Sequence, residues 1–162
     1  MKVLLLSLIY FTVMIQSPEA QDNTGWIKLS GEAGLTGWHL FKQPGINSAW
    51  TSVDGVISLD ANKKEGRGDI VTDATFGDFE LRFDWKVAKG SNSGIVFLVQ
   101  ESDAHDATWH TGPEFQVIDN TGYPDKLDAK QMAASLYDLI PCPVEYIKPT
   151  GEWNTTVIKL EK

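Results

Sequence analysis

The sequence predicts an all-β domain, an antiparallel sandwich or jelly roll. Short β-type runs recur along the chain, separated by clusters of Gly, Pro, Asn and Asp. No segment after residue 20 carries a sustained helical stripe, and residues 128–135 could form at most a short helix. The length of 162 residues has room for one ordinary domain. Repeated short strands in a chain of this size are typical of a sandwich or jelly roll.

The first 20 residues have the layout of a signal peptide. Lys2 is followed by an apolar run over residues 3–15, and then by Ser17-Pro18-Glu19-Ala20. A positive start, an apolar stretch of about 7–15 residues and a small residue near the cut define such leaders. The alternative, a buried N-terminal core helix, is less favoured because the run has no polar face. We predict a signal peptide over residues 1–20, one domain over residues 21–162, and no membrane span once the leader is removed.

Cysteine usage indicates the compartment. Cys142 is the one cysteine of the chain and cannot form an internal disulfide. An exported chain without disulfides fits a bacterial periplasm better than a disulfide-dense extracellular module. No cysteine lies near the predicted cut, so the sequence offers no acceptor for a lipoprotein anchor. We therefore predict a periplasmic or secreted protein.

The charge balance argues against nucleic acid as a partner. The chain has 22 acidic residues against 14 Lys and Arg, for a net charge of -8. Removing the leader takes away one Lys and one Glu, so the mature chain keeps that charge. Duplex binding depends on Lys and Arg displacing counterions, which this chain is poorly equipped to do.

The clearest strand is Phe79–Val87, where apolar and charged residues alternate. A period of two predicts one buried and one wet face, with Trp85 in the core. Residues 90–94 supply turn chemistry and residues 95–99 are apolar on both faces, which predicts a hairpin whose second strand lies deeper. Further strands are predicted at Trp26–Leu29, Val56–Leu59, Asp69–Thr72, Phe115–Ile118, Leu136–Ile140 and Trp153–Leu160. The chain stops directly after the last of these, and the resulting unpaired edge predicts that further strands are missing.

The residues that could carry chemistry are carboxylates and amides. The sequence has no Gly-rich phosphate loop, paired-Cys metal site, His pair at i and i+4, or nucleophile elbow. In the predicted strand around residue 116, Phe115 and Val117 occupy one face and Glu114 and Gln116 the other. The two polar side chains would lie about 7 Å apart along the strand. Such a pair suits a polyhydroxylated ligand, although spacing alone favours an ordinary exposed strand face.

Other candidates each have a structural alternative. Asp119 is more often turn chemistry, and Asn92 fits the predicted hairpin turn. Asp138 lies in an apolar run, where an acid is costly unless it is paired or borders a wet cavity. Trp109 lies in a polar stretch and is a candidate platform for stacking a sugar. His110 beside it is a candidate base or ligand, although a lone loop His is usually neither.

Nine short motifs occur along the chain in an order typical of one family. They are Gly25-Trp26-x-x-Leu29, Leu35-x-Gly37-Trp38, Asp54-Gly55-Val56-Ile57, Asp69-Ile-Val-Thr-Asp73, Phe76-x-Asp78-Phe79-Glu80-Leu81, Asn92-Ser93-Gly94-Ile95, Gly112-Pro-Glu-Phe-Gln-Val-Ile-Asp-Asn120, Leu136-Tyr137-Asp138 and Gly151-Glu-Trp-Asn154. Any one is weak, but this many in order is specific. The chain resembles the 3-keto-disaccharide hydrolase family, also described as 3-keto-glucoside 1,2-lyase and 3-keto-2-hydroxy-glucal hydratase.

The resemblance implies a concanavalin A-like jelly roll, an exported protein and a small-molecule carbohydrate substrate oxidised at C3. Oxidation acidifies the C2 proton, so that a carboxylate can remove it, the C1 substituent can leave, and water can add. The implied roles are Glu114 as base or metal ligand, Gln116 and Asn92 as sugar or enolate contacts, and Asp119, Tyr137 and Asp138 as supporting or proton-donating groups. A divalent cation could stabilise the enolate among these oxygen ligands, but no spacing demonstrates one.

Two other functions stay open at this point. A conventional glycosidase uses two carboxylates about 5–10 Å apart, which Glu114 and Asp119 or Asp138 could provide. A non-catalytic, lectin-like carbohydrate-binding module is the second, since the implied fold serves both classes. The sequence also departs from the family. It lacks the strands expected after residue 154, and Ala134 stands where a Gly often occurs, which could narrow the space beside Tyr137.

Overall fold

The computed structural model describes residues 8–14, 25–30, 34–45 and 47–161, and these ranges are almost entirely β. The strands are β1 (Leu8–Met14), β2 (Trp26–Ile27), β3 (Trp38–Leu40), β4 (Trp50–Val53), β5 (Val56–Leu59), β6 (Ile70–Thr72), β7 (Phe79–Lys86), β8 (Asn92–Val96), β9 (Glu114–Ile118) and β10 (Asn154–Leu160). The helical elements are single 3₁₀ turns at Thr108–His110 and Val144–Tyr146. The all-β prediction is confirmed. No helix in these ranges is long and apolar enough to cross a bilayer.

Three antiparallel sheets organise the chain. The largest runs in the order β10-β7-β1-β5-β4, with β2 attached to β1, and the others are the pairs β3-β6 and β8-β9. Most neighbours are distant in sequence, because the chain crosses repeatedly between sheets. Among the described strands β10 pairs with β7 alone, so it lies at an edge of the largest sheet, as its place in the sequence predicted.

The strand β1 falls inside the predicted signal peptide. It pairs antiparallel with β7 along its whole length and with β5 over its first three residues. Residues 1–7 and 15–20 of the predicted leader lie outside the described residues. An apolar, β-branched run suits a strand as well as a leader, so the signal peptide stays a prediction. Cleavage of a leader would remove this partner from between β5 and β7.

The core lies between the largest sheet and the β8-β9 pair. Leu81, Phe83 and Trp85 alternate along β7 and are buried, as the period of two predicted. Across the core, Phe115 of β9 meets the rings of Phe83 and Trp85 edge to face, at centroid distances of 5.5 and 6.1 Å. Such pairs contribute about 0.5–1.5 kcal/mol each beyond the area they bury. The face of β9 that carries Phe115 therefore packs into the core, and side chains on the opposite face point away from those rings.

The predicted hairpin between residues 79–87 and 95–99 is wrong. β7 pairs with β10 and β1, whereas β8 pairs with β9 in a different sheet. The chain turns earlier, where the Ser91 N–H bonds to the Ala88 carbonyl and Gly90 adopts a φ of 71°. That turn carries the chain across the sandwich, so Asn92, Ser93 and Gly94 belong to a strand and not to a hairpin turn. β8 is partly exposed, and so not deeper than β7.

One other strand prediction is also wrong. Residues 136–140 form a tight turn, in which Leu136 and Ile140 exchange backbone hydrogen bonds of 2.9 Å, and not a strand. Leu139 and Ile140 are exposed there, so the apolar run does not indicate burial. Residues 128–135 are turns without a helix, and the short strands β3 and β4 had no clear local signal.

Candidate active site

The candidate site lies on the face of β8-β9 that points away from the Phe115 side of the core. In the antiparallel register Gly94 pairs with Gln116 and Val96 pairs with Glu114. Asn92 pairs with Ile118, two residues further along. Because side chains alternate between faces, Asn92, Gly94, Glu114 and Gln116 share one face. The shared face of Glu114 and Gln116 is the one that alternation in the sequence predicted.

Glu114 lies directly against Gly94. A Cβ added at Gly94 would stand 1.7 Å from Oε1 of Glu114 and 2.6 Å from its Cδ. Glycine at position 94 thus lets the carboxylate take this position, and the backbone there is not in the left-handed region. The Glu114 side chain occupies the space that any other residue at position 94 would fill. This explains Gly94 in Asn92-Ser93-Gly94, which local pattern had assigned to a turn.

The electrostatic setting makes Glu114 a better base than an ordinary glutamate. Its pKa is raised, first by burial and then by the negative charge of Asp69, which immediately precedes β6. Asp69 is itself held in place, because its Oδ2 accepts a 2.6 Å hydrogen bond from the Thr108 hydroxyl. Burial and a like charge both disfavour the ionised carboxylate and increase its affinity for a proton. A carboxyl group of this kind is suited to proton transfer.

Replacing Gly94 by Ala is expected to displace the Glu114 carboxylate while leaving the strand intact. A shift of about 1 Å in a catalytic group can cost about 100-fold in rate, so we expect a loss of about 10- to 100-fold in kcat/KM. Gly77→Ala is the matched control, since a Cβ at Gly77 meets nothing within 4 Å and the backbone there is ordinary. Equal activity of the Gly94→Ala and Gly77→Ala variants would contradict this geometry.

Polar groups next to Glu114 could contact a ligand. Gln116 is only 3% exposed, and its Oε1 accepts a 3.0 Å hydrogen bond from the Val117 N–H. Asn92 is exposed at the end of β8. Tyr137 is 37% exposed and lies alongside β9, where its N–H bonds to the Glu114 carbonyl at 2.8 Å.

A long loop over residues 97–113 joins β8 to β9 and carries two further candidates, Trp109 and His110. The two ends of the loop lie close together. The Phe97 N–H donates a hydrogen bond to the Pro113 carbonyl, and a Cβ added at Gly112 would stand 2.0 Å from the Phe97 oxygen. Trp109 is 61% exposed and His110 is also exposed, with their rings in an edge-to-face contact. The exposed platform predicted for Trp109 is therefore present. We call this segment the site loop.

Asp119 does not join this face. It is 1% exposed at the end of β9, and its carboxylate accepts hydrogen bonds from the Gly90 N–H, the Thr121 N–H and the hydroxyls of Thr121 and Thr150. Burial opposes its ionisation, but these donors outweigh burial and lower the pKa of Asp119 to about 2. The carboxylate thus ties together the turn before β8, the end of β9 and the turn before β10.

Asp138 lies in the exposed turn that follows Tyr137, with a φ of 58°. Asp tolerates this left-handed conformation better than most residues, which accounts for an acid in an apolar run without a buried partner. Ala134 also has a positive φ, of 63°. The left-handed backbone explains why glycine suits that position, a reason that the sequence analysis did not identify.

One cavity lies apart from Glu114, and the divalent cation stays a prediction. One cavity of about 320 Å³ is lined by residues 40, 43–45, 47 and 65–68, and Glu114 is not among them. It shares no lining residue with the candidate site. We place the site at Glu114 because its carboxylate lies against Gly94, on a strand face that also carries Asn92 and Gln116. Among the described residues no three His, Cys, Asp or Glu side chains are grouped to hold a metal ion.

Sequence reasoning missed Asp69 and Thr108 as parts of the site. Asp69 appeared in a motif, but nothing local showed that it acts on a glutamate 45 positions later. It also missed His39 of β3, which contacts Asp73, just after β6, and Glu101 of the site loop. The signal available was the unusual density of acids and histidines in the segments 69–73 and 101–110.

Comparison with known proteins decides the family. The model of the 3-keto-alpha-glucoside-1,2-lyase-like domain matches residues 25–162, which is most of the chain. The chain belongs to this family. A curated relative from Bacteroides thetaiotaomicron, named 3-keto-disaccharide hydrolase, is 37% identical over 87% of this chain. The match covers 54% of the relative, so the chain spans about half of its length.

A solved structure supports the fold of this 3-keto-alpha-glucoside-1,2-lyase-like chain. A protein from Parabacteroides distasonis, described as a "putative glycosyl hydrolase", superposes with a TM-score of 0.73 at 30% identity. The match covers 82% of this chain and 63% of the other. This neighbour shares the β-sandwich fold over most of the chain. The family match confirms the resemblance inferred from the nine motifs.

Proposed function

We propose that the chain is an exported enzyme that cleaves 3-keto-glycosides, including 3-keto-disaccharides. The family and the name of the curated relative support a carbohydrate substrate of this class. The observation that carries the proposal is Glu114, a half-buried carboxylate on a polar strand face with a raised pKa. We infer export to the periplasm or beyond from the leader-like first 20 residues.

The proposed reaction begins with Glu114 in its ionised form. It removes the C2 proton, which the C3 ketone has acidified, and the electron pair forms the C1–C2 double bond as the bond from C1 to the leaving oxygen breaks. The proton now on Glu114 is available to that leaving oxygen. Addition of water across the double bond then completes a net hydrolysis, whereas release of the unsaturated sugar would make the reaction a lyase step.

The neighbouring residues have binding roles in this proposal. The amides of Asn92 and Gln116 donate to sugar or enolate oxygens, and Trp109 stacks on a sugar ring. Tyr137 and His110 supply hydrogen bonds at the edge of the site. Asp138 as a supporting acid and a divalent cation as enolate stabiliser stay predictions, and no step above is assigned to either.

The structure favours this reaction over a conventional two-carboxylate glycosidase. Such an enzyme needs a second free carboxyl group across the sugar from Glu114. Both oxygens of Asp119 are already engaged by donors from the protein, which removes one of the two partners considered. A lectin-like binding module remains the second candidate, because the exposed Trp109 would serve binding without catalysis equally well.

A paired substrate assay tests the proposal. We expect product from a 3-keto disaccharide and none from the same disaccharide without the ketone, because only the ketone acidifies C2. Product can be followed as released reducing sugar, and the unsaturated intermediate by its ultraviolet absorbance. Turnover of the unoxidised sugar alone would establish a conventional glycosidase, and binding of both sugars without product would establish a lectin-like module.

A further inference from the structure

His39 of β3 lies between two carboxylates. Its Nδ1 is 2.7 Å from Oδ1 of Asp73, and its Nε2 is 2.8 Å from Oε2 of Glu101. An ionised carboxylate only accepts hydrogen bonds, so each ring nitrogen must carry a hydrogen to bond both partners. The geometry therefore requires the imidazolium form of His39, with one positive charge shared between two negative ones.

These contacts join the site loop to the β3-β6 pair. Glu101 belongs to the loop, whereas Asp73 follows β6 and His39 lies in β3. Lys42, just after β3, adds a backbone N–H to Oε1 of Glu101 and an ammonium hydrogen bond of 3.0 Å to the carbonyl of His105. The Lys42 ammonium also lies 3.9 Å from Asp106. Around His39, the charged groups of β3, β6 and the loop are thus Asp73, Glu101, Lys42 and Asp106, and the titratable His105 lies nearby.

The site loop has a second attachment that does not depend on His39. The Thr108 hydroxyl donates to Asp69, the residue whose charge acts on Glu114. Trp109 and His110 follow directly on Thr108. The first half of the loop is therefore held by the His39 contacts and the second half by Asp69, so both attachments constrain the segment that carries Trp109 and His110.

We propose that His39 is a positioning residue whose imidazolium fastens the site loop to β3-β6, so that the loop loosens when His39 loses its proton. The loop then holds the exposed Trp109 less firmly. The consequence for sugar binding rests on the proposed function, but the fastening itself does not.

The direction of the pH effect follows from the two partners. The hydrogen bonds to Glu101 and Asp73 raise the pKa of His39 above its usual 6.5. Burial opposes ionisation of Glu101, but hydrogen bonds from the Lys42 N–H and the His39 ring together lower its pKa. The stabilisation from His39 is complete below about 6.5 and is lost as the pH rises through the raised pKa. The stabilisation from Glu101 is lost only at acidic pH, so the fastening is firmest from mildly acid to neutral pH.

Hydrogen exchange of the whole chain without substrate tests the proposal. Protection factors for peptides within residues 97–107 are measured between about pH 5.5 and about pH 9, corrected for the intrinsic exchange rate, across the titration of a histidine. We expect wild-type protection in this segment to fall by roughly two- to fivefold, the range of exposed ion pairs. The peptides of β9 should show no such step.

Three variants test whether His39, and not another titrating group, causes the pH-dependent loss of protection. His39→Gln and Glu101→Gln should each have low protection at the acid end and no step with pH. His105→Gln, which changes a histidine in the same loop without touching the His39 contacts, should keep the wild-type step. Constant wild-type protection, or a step that survives in both His39→Gln and Glu101→Gln, would overturn the proposal. Either result leaves the proposed function intact, since no sugar is present, and absence of turnover leaves the exchange result unaffected.

Discussion

Glu114→Gln is expected to reduce turnover of a 3-keto disaccharide by about 10²- to 10⁴-fold, the usual contribution of a general base. Glutamine keeps the size of the side chain against Gly94 but cannot accept the C2 proton. In the wild type, kcat/KM should rise with pH through the pKa of Glu114, which lies above the ordinary glutamate range because of burial and the charge of Asp69. The measurement is kcat/KM as a function of pH for both proteins.

Stability measurements separate catalysis from folding in this experiment. The raised pKa of Glu114 means that folding disfavours its ionised form, so its charge costs stability at and above neutral pH. Glu114→Gln should therefore leave the Tm unchanged or slightly higher. Glu145→Gln, an exposed glutamate near Val144, is the matched control and should retain activity. A large drop in Tm for Glu114→Gln would indicate a structural role, and wild-type turnover would exclude Glu114 as the base.

Asp119→Asn is expected to destabilise the fold by about 2–4 kcal/mol. The lowered pKa of about 2, against 3.8 for an ordinary Asp, corresponds to about 2 kcal/mol of stability at neutral pH. Asparagine replaces one acceptor oxygen by an NH₂ group. Some of the four hydrogen-bond donors around position 119 would then lie against this NH₂ group and lose their acceptor. For a chain of this size the loss is roughly 5–15 °C in Tm. Thermal unfolding followed by circular dichroism measures it.

The pH dependence and a matched variant make this prediction specific to the buried carboxylate. The stability that Asp119 contributes is present above pH 3.8 and is lost as the pH falls towards about 2, so the difference between wild type and Asp119→Asn should shrink in that range. Asp138→Asn removes a carboxylate in an exposed turn and should change the Tm by less than about 2 °C. Equal Tm values for the two variants would contradict the role assigned to Asp119.

The sequence predicted the directions of side chains well and their partners poorly. Alternation along Phe79–Lys86 identified its core residues, and along Glu114–Ile118 it placed Glu114 and Gln116 on the face opposite Phe115. It did not predict that Gln116 is itself buried. Alternation is a local property of an extended backbone, so a short window is enough to read it. The predicted hairpin between β7 and β8 was wrong because a turn sequence does not specify whether the two strands that flank it pair with each other. That choice depends on the packing of two sheets against each other.

The sequence by itself determined the all-β class, the polar face of β9 and membership of the family, because each rests on local pattern or on motifs in order. Only the tertiary structure decided that Gly94 makes room for Glu114 and that the charge of Asp69 raises the pKa of Glu114. The same holds for the hydrogen bonds that occupy both oxygens of Asp119 and for the contacts of His39 with two carboxylates. Each of these depends on residues far apart in the chain. Electrostatic and hydrogen-bond contacts act over a few ångströms of space, and separation along the sequence does not reveal that distance.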